Sequence, residues 1–283
     1  MSEGLEQQVP PTSLADVIPV VIGVAVFAWW LLTTSLGRKA LAHSKPRRTS
    51  MIFLTPFAVF FAWLAGTATL ANLAALFTRR LQAWQGVFLT QLAGTLGSLV
   101  VVVLVLVVAR MTFVRGLKGL GLRLATLPKD LVHAFLTLAA VWPLVMAMMS
   151  LTMLVMRQID PEFEVPQHEA LEIITGSSSM PLQILMIVLA VAIAPLVEEM
   201  IFRGLFQTMI RSYLDRPWVA IAITSVLFSA IHANSEHWPA LFVLALGLGY
   251  CYEKSGSLWR PIFMHAMFNG VTIAAALAAS AMA

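Results

Sequence analysis

Long apolar stretches separated by short polar segments dominate this sequence of 283 residues. A helix needs about 20 mostly apolar residues to cross the hydrocarbon core of a bilayer. Eight stretches approach that length, and the sixth and seventh are shorter than the others. We therefore predict eight spans, at 17–36, 51–77, 87–110, 131–156, 181–202, 217–233, 238–252 and 261–283. The predicted fold class is all-α, a polytopic transmembrane helical bundle.

The composition supports a membrane protein. Apolar residues make up 59% of the chain and charged residues only 11%, whereas soluble domains carry about 25% charged residues. No run of Lys and Arg of the nucleic-acid-binding type lies outside the short loops. We therefore expect a lipid bilayer as surroundings and no nucleic acid as partner. The single cysteine, Cys251, forms no intrachain disulfide.

Loop charge predicts the orientation. Fifteen of the 18 Lys and Arg residues follow the first, third, fifth and seventh spans, and only Arg79, Arg80 and Arg157 lie in the alternate loops. Basic loops remain in the cytoplasm. The N-terminus is therefore expected outside.

Four regions follow from this pattern. They are an extracytoplasmic tail at 1–16, a four-span region at 17–156, an acidic extracytoplasmic connection at 157–180 and a C-terminal helical region at 181–283. The segment 111–130 alternates basic and apolar residues, which favours an amphipathic helix on the inner leaflet.

Polar side chains recur within the apolar helices of the C-terminal region. In chain order they are Glu198, Glu199, Arg203, His232, His265 and Asn269. An ionisable group at membrane depth costs several kcal/mol and is by default a candidate for function. We therefore predict that this set forms a site.

Glu199 and Arg203 are spaced i, i+4 and share one face of a helix. Two neighbouring carboxylates do not both stay charged at low dielectric without compensation. Pairing Glu199 with Arg203 would leave Glu198, about 100° away, free to act as a general base. The alternative is a structural ion pair at a helix end. Because Glu198 falls near the cytoplasmic end of the predicted span 181–202, we expect the cavity to open toward the cytoplasm.

His232 is expected to face the same site. Pro217 favours a helix start, so a helix could end near Leu214 and return after Pro217. Glu199 and His232 then both lie about 24 Å from the turn, and an antiparallel hairpin would bring them together. Phe228, one turn earlier, could hold the His232 ring. The alternative is a hydrogen-bonded core histidine.

His265 and Asn269 share one face of the last span, and both can donate hydrogen bonds. The alternative is polar contact between helices, worth only about 0.6 to 2 kcal/mol in membranes. His265 follows Pro261 closely, so the loop at 253–260 must dip inward or the helices must tilt to bring His265 to the depth of His232.

Three motifs resemble one family of membrane proteins. Glu198-Glu199-x-x-x-Arg203, Phe228-x-x-x-His232 and His265-x-x-x-Asn269 are similar to the motifs of CAAX-type prenyl endopeptidases and bacteriocin-processing or immunity proteins (the CPBP or Abi-type family). The flanking FRGLFQ and GSLWRPIFMHAMFN also resemble it. The resemblance covers roughly 181–269.

The resemblance implies an intramembrane endopeptidase in which Glu198 and His232 activate a water and His265 and Asn269 stabilise the oxyanion. The family is often called metalloproteases, and Glu198, His232 and His265 would form a legitimate zinc triad. A metal-free glutamate mechanism fits equally well, so no cofactor is assigned, and a divalent metal such as zinc stays open.

The resemblance also implies a peptide or protein substrate, prenylated in the prototype members, and a prokaryotic plasma (inner) membrane. A different class of function stays open as well. The chain could be a non-catalytic membrane scaffold or a bacteriocin-immunity protein that keeps the polar residues as contacts between helices. The tolerance of Glu198 to Gln separates the two classes.

Overall fold

A computed structural model describes residues 14–163 and 166–282. Most of the predicted N-terminal tail, and Glu164 of the acidic connection, lie outside these residues. The described chain contains nine helices of eight or more residues. In chain order they are α1 (Leu14–Thr33), α2 (Thr55–Ala75), α3 (Ala83–Thr112), α4 (Leu127–Ile159), α5 (Glu169–Gly176), α6 (Met180–Leu214), α7 (Pro217–Ala230), α8 (Trp238–Ser255) and α9 (Trp259–Met282). The predicted all-α class is confirmed.

The number of spans is only approximately eight. Within the described residues, five helical stretches are long and apolar enough to cross a membrane: α2, α3, α6, α9 and the stretch Leu117–Ile159 that contains α4. The helix α7 is a shorter apolar helix. It ends at Ala230 rather than at the predicted residue 233.

The predicted span 181–202 is too short. The helix α6 runs from Met180 to Leu214, which is 35 residues and about 52 Å, well beyond a hydrocarbon core of about 30 Å. Two π-helical stretches, Leu189–Ile193 and Met200–Gln207, interrupt it. The first directly precedes the turn that contains Pro195, which has no N–H to donate to the helix. Glu198 therefore lies near the midpoint of α6 and not near its C-terminal end.

The segment 111–130 is not one amphipathic helix. Between the end of α3 at Thr112 and the start of α4 at Leu127, it contains a four-residue helix, Leu117–Leu120, and a 3-10 turn, Leu124–Thr126. Gly121 ends the short helix with φ +103°, a conformation that L side chains rarely adopt. Its carbonyl accepts a hydrogen bond from Leu258 N at 3.1 Å. The segment therefore docks on the loop before α9.

That loop dips into the protein, as the depth of His265 requires. Ser257 and Leu258 are both buried. Ser257 Oγ donates to Asp130 Oδ2 at 2.6 Å, and Arg260 Nε donates to Asp130 Oδ1 at 2.7 Å. These contacts anchor the start of α9 to the start of α4, and His265 on α9 lies against the middle of α6.

A second polar cluster joins the loop after α1 to the C-terminal region. Glu253 Oε1 accepts a hydrogen bond from Arg211 Nε at 3.1 Å, and Glu253 Oε2 lies 3.8 Å from Arg47 Nη1. The Arg47 guanidinium also lies 3.5 Å from the centroid of the Tyr252 ring. The loop after α1, which carries Arg47, is thus packed against the C-terminal ends of α6 and α8, which carry Arg211 and Glu253. We call this end of the bundle the basic face.

The centre of the bundle is the second half of α6. Every residue from Glu199 to Arg211 is buried. The apolar side chains among them pack against α2 and α3 on one side and against α7, α8 and the start of α9 on the other. Between membrane helices the attraction comes from van der Waals packing and interhelical hydrogen bonds, and this packing fixes the position of the polar residues that α6 carries.

Candidate active site

Glu199 and Arg203 form an ion pair at the centre of the bundle. Arg203 Nη1 donates to Glu199 Oε1 at 3.0 Å, and both side chains have zero exposure. Arg203 Nη2 donates to the backbone oxygen of Ala245 on α8 at 3.2 Å. The guanidinium carbon lies 4.5 Å from the centroid of the Phe228 ring. One turn of α6 therefore positions both partners, and α7 and α8 enclose them.

His265 lies against both glutamates. Its Nδ1 atom is 3.0 Å from Glu199 Oε1, and its Nε2 atom is 3.9 Å from Glu198 Oε2. Because an ionised carboxylate only accepts hydrogen bonds, Nδ1 carries a proton and donates it to Glu199. The ion pair thus fixes the orientation of the ring, and Nε2 faces Glu198.

Glu198 differs from its neighbour in its contacts. Its side chain is 13% exposed, whereas that of Glu199 is not exposed. Among the described residues, the buried Oε2 atoms of both glutamates have no hydrogen-bond partner. A buried carboxylate oxygen without a partner loses its hydration and receives no compensation. Such an atom is available to a bound water or substrate group.

Phe228 separates the two histidines. It is fully buried, and the centroid of its ring lies 5.0 Å from that of His232 and 5.7 Å from that of His265. His232 Nδ1 lies 2.9 Å from Phe228 O. Because a carbonyl only accepts, Nδ1 carries the proton and Nε2 keeps its lone pair. His232 is half-buried, and within the described chain no hydrogen bond joins it to a glutamate.

Asn269 lies one turn beyond His265 on α9 and is half-buried. Its Nδ2 atom donates to Ala190 O at 2.8 Å, which joins α9 to the first half of α6. An amide nitrogen carries two protons. One is used in this contact, and the second is free for a further acceptor.

The described residues contain no group of three or more His, Cys, Asp or Glu side chains arranged to hold a metal. Glu198 and His265 approach each other, but His232 lies behind the Phe228 ring. Glu199 is already bound to a guanidinium. The zinc triad that the resemblance implies is therefore not assembled among the described residues.

The three sequence motifs do not predict two of the contacts at the site. Ala245 contributes only its backbone oxygen to Arg203, and Gln207 Nε2 donates to Gly249 O at 3.1 Å. A Cβ on Gly249 would lie 2.9 Å from Gln207 Oε1. Small residues in an apolar helix permit such close approach between helices. In the sequence, Gly247 and Gly249 of α8 are the features that indicate this close packing.

Comparison with known proteins agrees with the resemblance of the motifs. Residues 180–271 match the family described as "Type II CAAX prenyl endopeptidase Rce1-like". This segment begins with α6 and contains all six polar residues of the site. The resemblance predicted from the three motifs is confirmed for this segment.

Two curated relatives each match about a third of the chain. The "Putative membrane peptidase YdiL" of Bacillus subtilis (strain 168) is 28% identical over 85 residues, which is 30% of this chain and 34% of the relative. An "Uncharacterized 24.3 kDa protein" of Escherichia coli is 33% identical over 94 residues, 32% of this chain and 43% of the relative. The matches thus cover less than half of each relative. No solved structure matches the chain significantly.

Proposed function

We propose that the protein is an intramembrane endopeptidase of the CAAX-protease-like type. The observation that carries this proposal is the asymmetry of the two glutamates. Glu199 has no exposure and its Oε1 atom accepts from both Arg203 and His265, whereas Glu198 is 13% exposed and its Oε2 atom lies opposite His265 Nε2 without a hydrogen-bond partner. The family and the name of the Bacillus subtilis relative support peptide hydrolysis as the reaction.

Glu198 and His232 are the proposed activators of water. A water that contacts Glu198 can pass a proton to the carboxylate as its oxygen attacks the peptide carbonyl, which is general base catalysis. His232 presents a lone pair on Nε2 because its Nδ1 donates to Phe228 O. It can therefore accept a hydrogen bond from the same water and orient it.

His265 and Asn269 are the proposed donors to the oxyanion. When His265 is protonated on both ring nitrogens, Nδ1 donates to Glu199 and Nε2 becomes a second donor. The free amide proton of Asn269 lies one helical turn farther along α9. Donors that are already oriented cost no reorganisation during the reaction, and each is worth about 100- to 1,000-fold in turnover.

The substrate class is a peptide or protein at a membrane, prenylated if it follows the family prototype. On the family resemblance we assign the protein to a prokaryotic plasma (inner) membrane, and on the charge of the loops we place its N-terminus outside. The expected cytoplasmic opening of the cavity depended on a span that ends at residue 202. The continuation of α6 to Leu214 removes that basis.

The second candidate is a non-catalytic scaffold or immunity protein. The many buried polar contacts of Arg203, Glu199 and Asn269 favour it, since they join helices whether or not chemistry occurs. A comparison of the membrane peptides of three strains separates the candidates. The strains are a deletion strain, a strain with the wild-type protein and a strain with Glu198→Gln. An enzyme predicts substrates that accumulate equally in the deletion and Glu198→Gln strains. A scaffold predicts that Glu198→Gln behaves as wild type.

A further inference from the structure

Asp130 is a buried carboxylate that lies outside the site described above. It belongs to the first turn of α4 and is 1% exposed. The residues that match the family are 180–271, so Asp130 lies outside the family match and outside the three motifs. Burial of a carboxylate is costly unless hydrogen bonds compensate it, and each oxygen of Asp130 accepts one.

The compensating donors come from the loop after α8, next to the basic face, and from the first turn of α9. Ser257 Oγ donates to Oδ2 of Asp130 at 2.6 Å, and Arg260 Nε donates to Oδ1 at 2.7 Å. Between these two residues, Leu258 N donates to Gly121 O at 3.1 Å. The start of α9 is thus bound to residues 121–130 by three hydrogen bonds, two of which end on one carboxylate.

Farther along, α4 and α9 are held together by apolar contacts. The ring centroids of Trp142 on α4 and Phe268 on α9 lie 5.3 Å apart. Met264 of α9 is buried in a cluster with Ala134 and Leu138 of α4. Apolar packing has little directional preference, whereas a hydrogen bond weakens steeply when its distance or angle changes. The bonds to Asp130 therefore fix where α9 lies along α4, and the apolar contacts keep the two helices side by side.

The place of α9 along α4 sets the place of His265, which follows Arg260 by five residues, about 7.5 Å along the helix. His265 Nδ1 lies 3.0 Å from Glu199 Oε1, and Nε2 lies 3.9 Å from Glu198 Oε2. Hydrogen bonds of this kind span only about 2.7 to 3.2 Å. A displacement of about 1 Å therefore disturbs this contact, and misplacement of that size by a distant substitution costs up to about 100-fold in rate.

We propose that Asp130 is a positioning residue of the candidate active site. Through its bonds to the start of α9, it holds His265 against the two glutamates of α6. Within the described residues, Asp130 makes no hydrogen bond to the six polar residues of the site, so it acts through α9. The inference rests on the proposed function and deepens it, because it gives α4, which lies outside the family match, a part in turnover.

Steady-state kinetics of the purified protein separate positioning from stability. The probe is a fluorogenic peptide with a prenylated cysteine, as in the family prototype. Asp130→Ala should lower kcat about 10- to 100-fold and change KM less than about twofold, because an oriented donor acts in the transition state. Asp130→Asn should lose less, since its amide oxygen accepts from Arg260 and its amide nitrogen donates to Ser257 Oγ. Ser257→Ala removes one of the two contacts and should lower kcat by a smaller factor.

Arg47→Ala is the matched control for a general loss of stability. The Arg47 side chain donates to Tyr252 O at 3.0 Å and lies 3.8 Å from Glu253 Oε2, both on α8. Its removal leaves the bonds at the start of α9 intact, so we expect the wild-type kcat below the melting temperature of this variant. A wild-type kcat in Asp130→Ala, an effect on KM alone, or equal losses of kcat in Asp130→Ala and Arg47→Ala would overturn the proposal. If Asp130→Ala does not fold, Ser257→Ala decides by the same criteria.

Cys251 reports the position of α9 without any substrate. Its thiol is 4% exposed and lies 3.9 Å from the sulfur of Met264, the residue before His265. Well below the melting temperatures, a thiol-reactive dye should modify Cys251 about tenfold or more faster in Asp130→Ala than in the wild type, a factor that corresponds to the loss of one hydrogen bond to a charged group. Arg47→Ala should react at the wild-type rate.

Unchanged modification of Cys251 in Asp130→Ala would overturn the anchoring of α9 by Asp130. If the wild-type protein cleaves no peptide, the proposed function fails, and the rate of this modification alone decides whether Asp130 anchors α9.

Discussion

The ion pair between Glu199 and Arg203 gives the sharpest stability prediction. Glu199 Oε1 accepts hydrogen bonds from both Arg203 and His265, each at 3.0 Å. Glu199→Ala would leave a guanidinium with zero exposure and one hydrogen bond within the described residues, to Ala245 O. Removing one partner of a buried ion pair costs about 3 to 5 kcal/mol, since the other charge stays buried without compensation.

That cost changes the folding equilibrium by about 10² to 10⁴ at 1.4 kcal/mol per factor of ten. Glu198→Ala is the matched control, because it removes the same group one residue away, where the side chain is 13% exposed and Arg203 keeps its hydrogen bond to Glu199. We expect it to lose far less stability. In Glu199→Ala/Arg203→Met, part of the loss should return because the unpaired charge is gone.

The buried Cys251 supplies the assay. A thiol-reactive fluorescent dye reacts with this residue only when the detergent-solubilised protein unfolds, since the thiol is 4% exposed in the folded protein. Thermal melts of the four proteins then report the order of stability. Equal melting temperatures for Glu199→Ala and Glu198→Ala would refute the reasoning.

Three further predictions follow from the same contacts. Asn269→Ala should lower turnover about 100- to 1,000-fold with little change in substrate binding, measured as kcat and KM of the purified protein; a change in KM alone would contradict the oxyanion role. His232→Ala should cost at least as much turnover without releasing metal, and stoichiometric zinc in active protein that is lost in this variant would contradict the metal-free scheme. Gly121→Ala should destabilise more than Gly256→Ala in thermal melts, because both have positive φ but only a Cβ at Gly121 meets other atoms, with Leu258 N at 2.7 Å; equal losses would show that the contact yields easily.

Local spacing predicted the parts of the site that lie on one helix. The i, i+4 rule gave the Glu199–Arg203 pair and the shared face of His265 and Asn269, because helix geometry alone fixes those neighbours. Pro217 gave the hairpin, and α6 and α7 do end and begin on either side of it. The depth of His265 required a loop that dips inward, which the contacts of Ser257 with Asp130 provide.

Contacts between segments that are far apart in the sequence could not be predicted from it. The span boundary at residue 202 was wrong because Arg203 and Gln207 look like the polar end of a span, although α7 and α8 bury them. Their acceptors are backbone oxygens of Ala245 and Gly249, which every residue possesses and no pattern distinguishes. The segment 111–130 breaks at Gly116 and Gly121, which both have positive φ, and Gly121 lies against Leu258 in a contact between distant segments.

The most direct test of the central claim is the turnover of purified Glu198→Gln in detergent. The substitution preserves size and removes the base, and a general base contributes about 10² to 10⁴ in rate. The account predicts that the rate of peptide hydrolysis falls at least about 10²-fold, while the melting temperature of Glu198→Gln stays close to that of the wild-type protein. Hydrolysis by Glu198→Gln at close to the wild-type rate would contradict the assignment of Glu198 as the catalytic base.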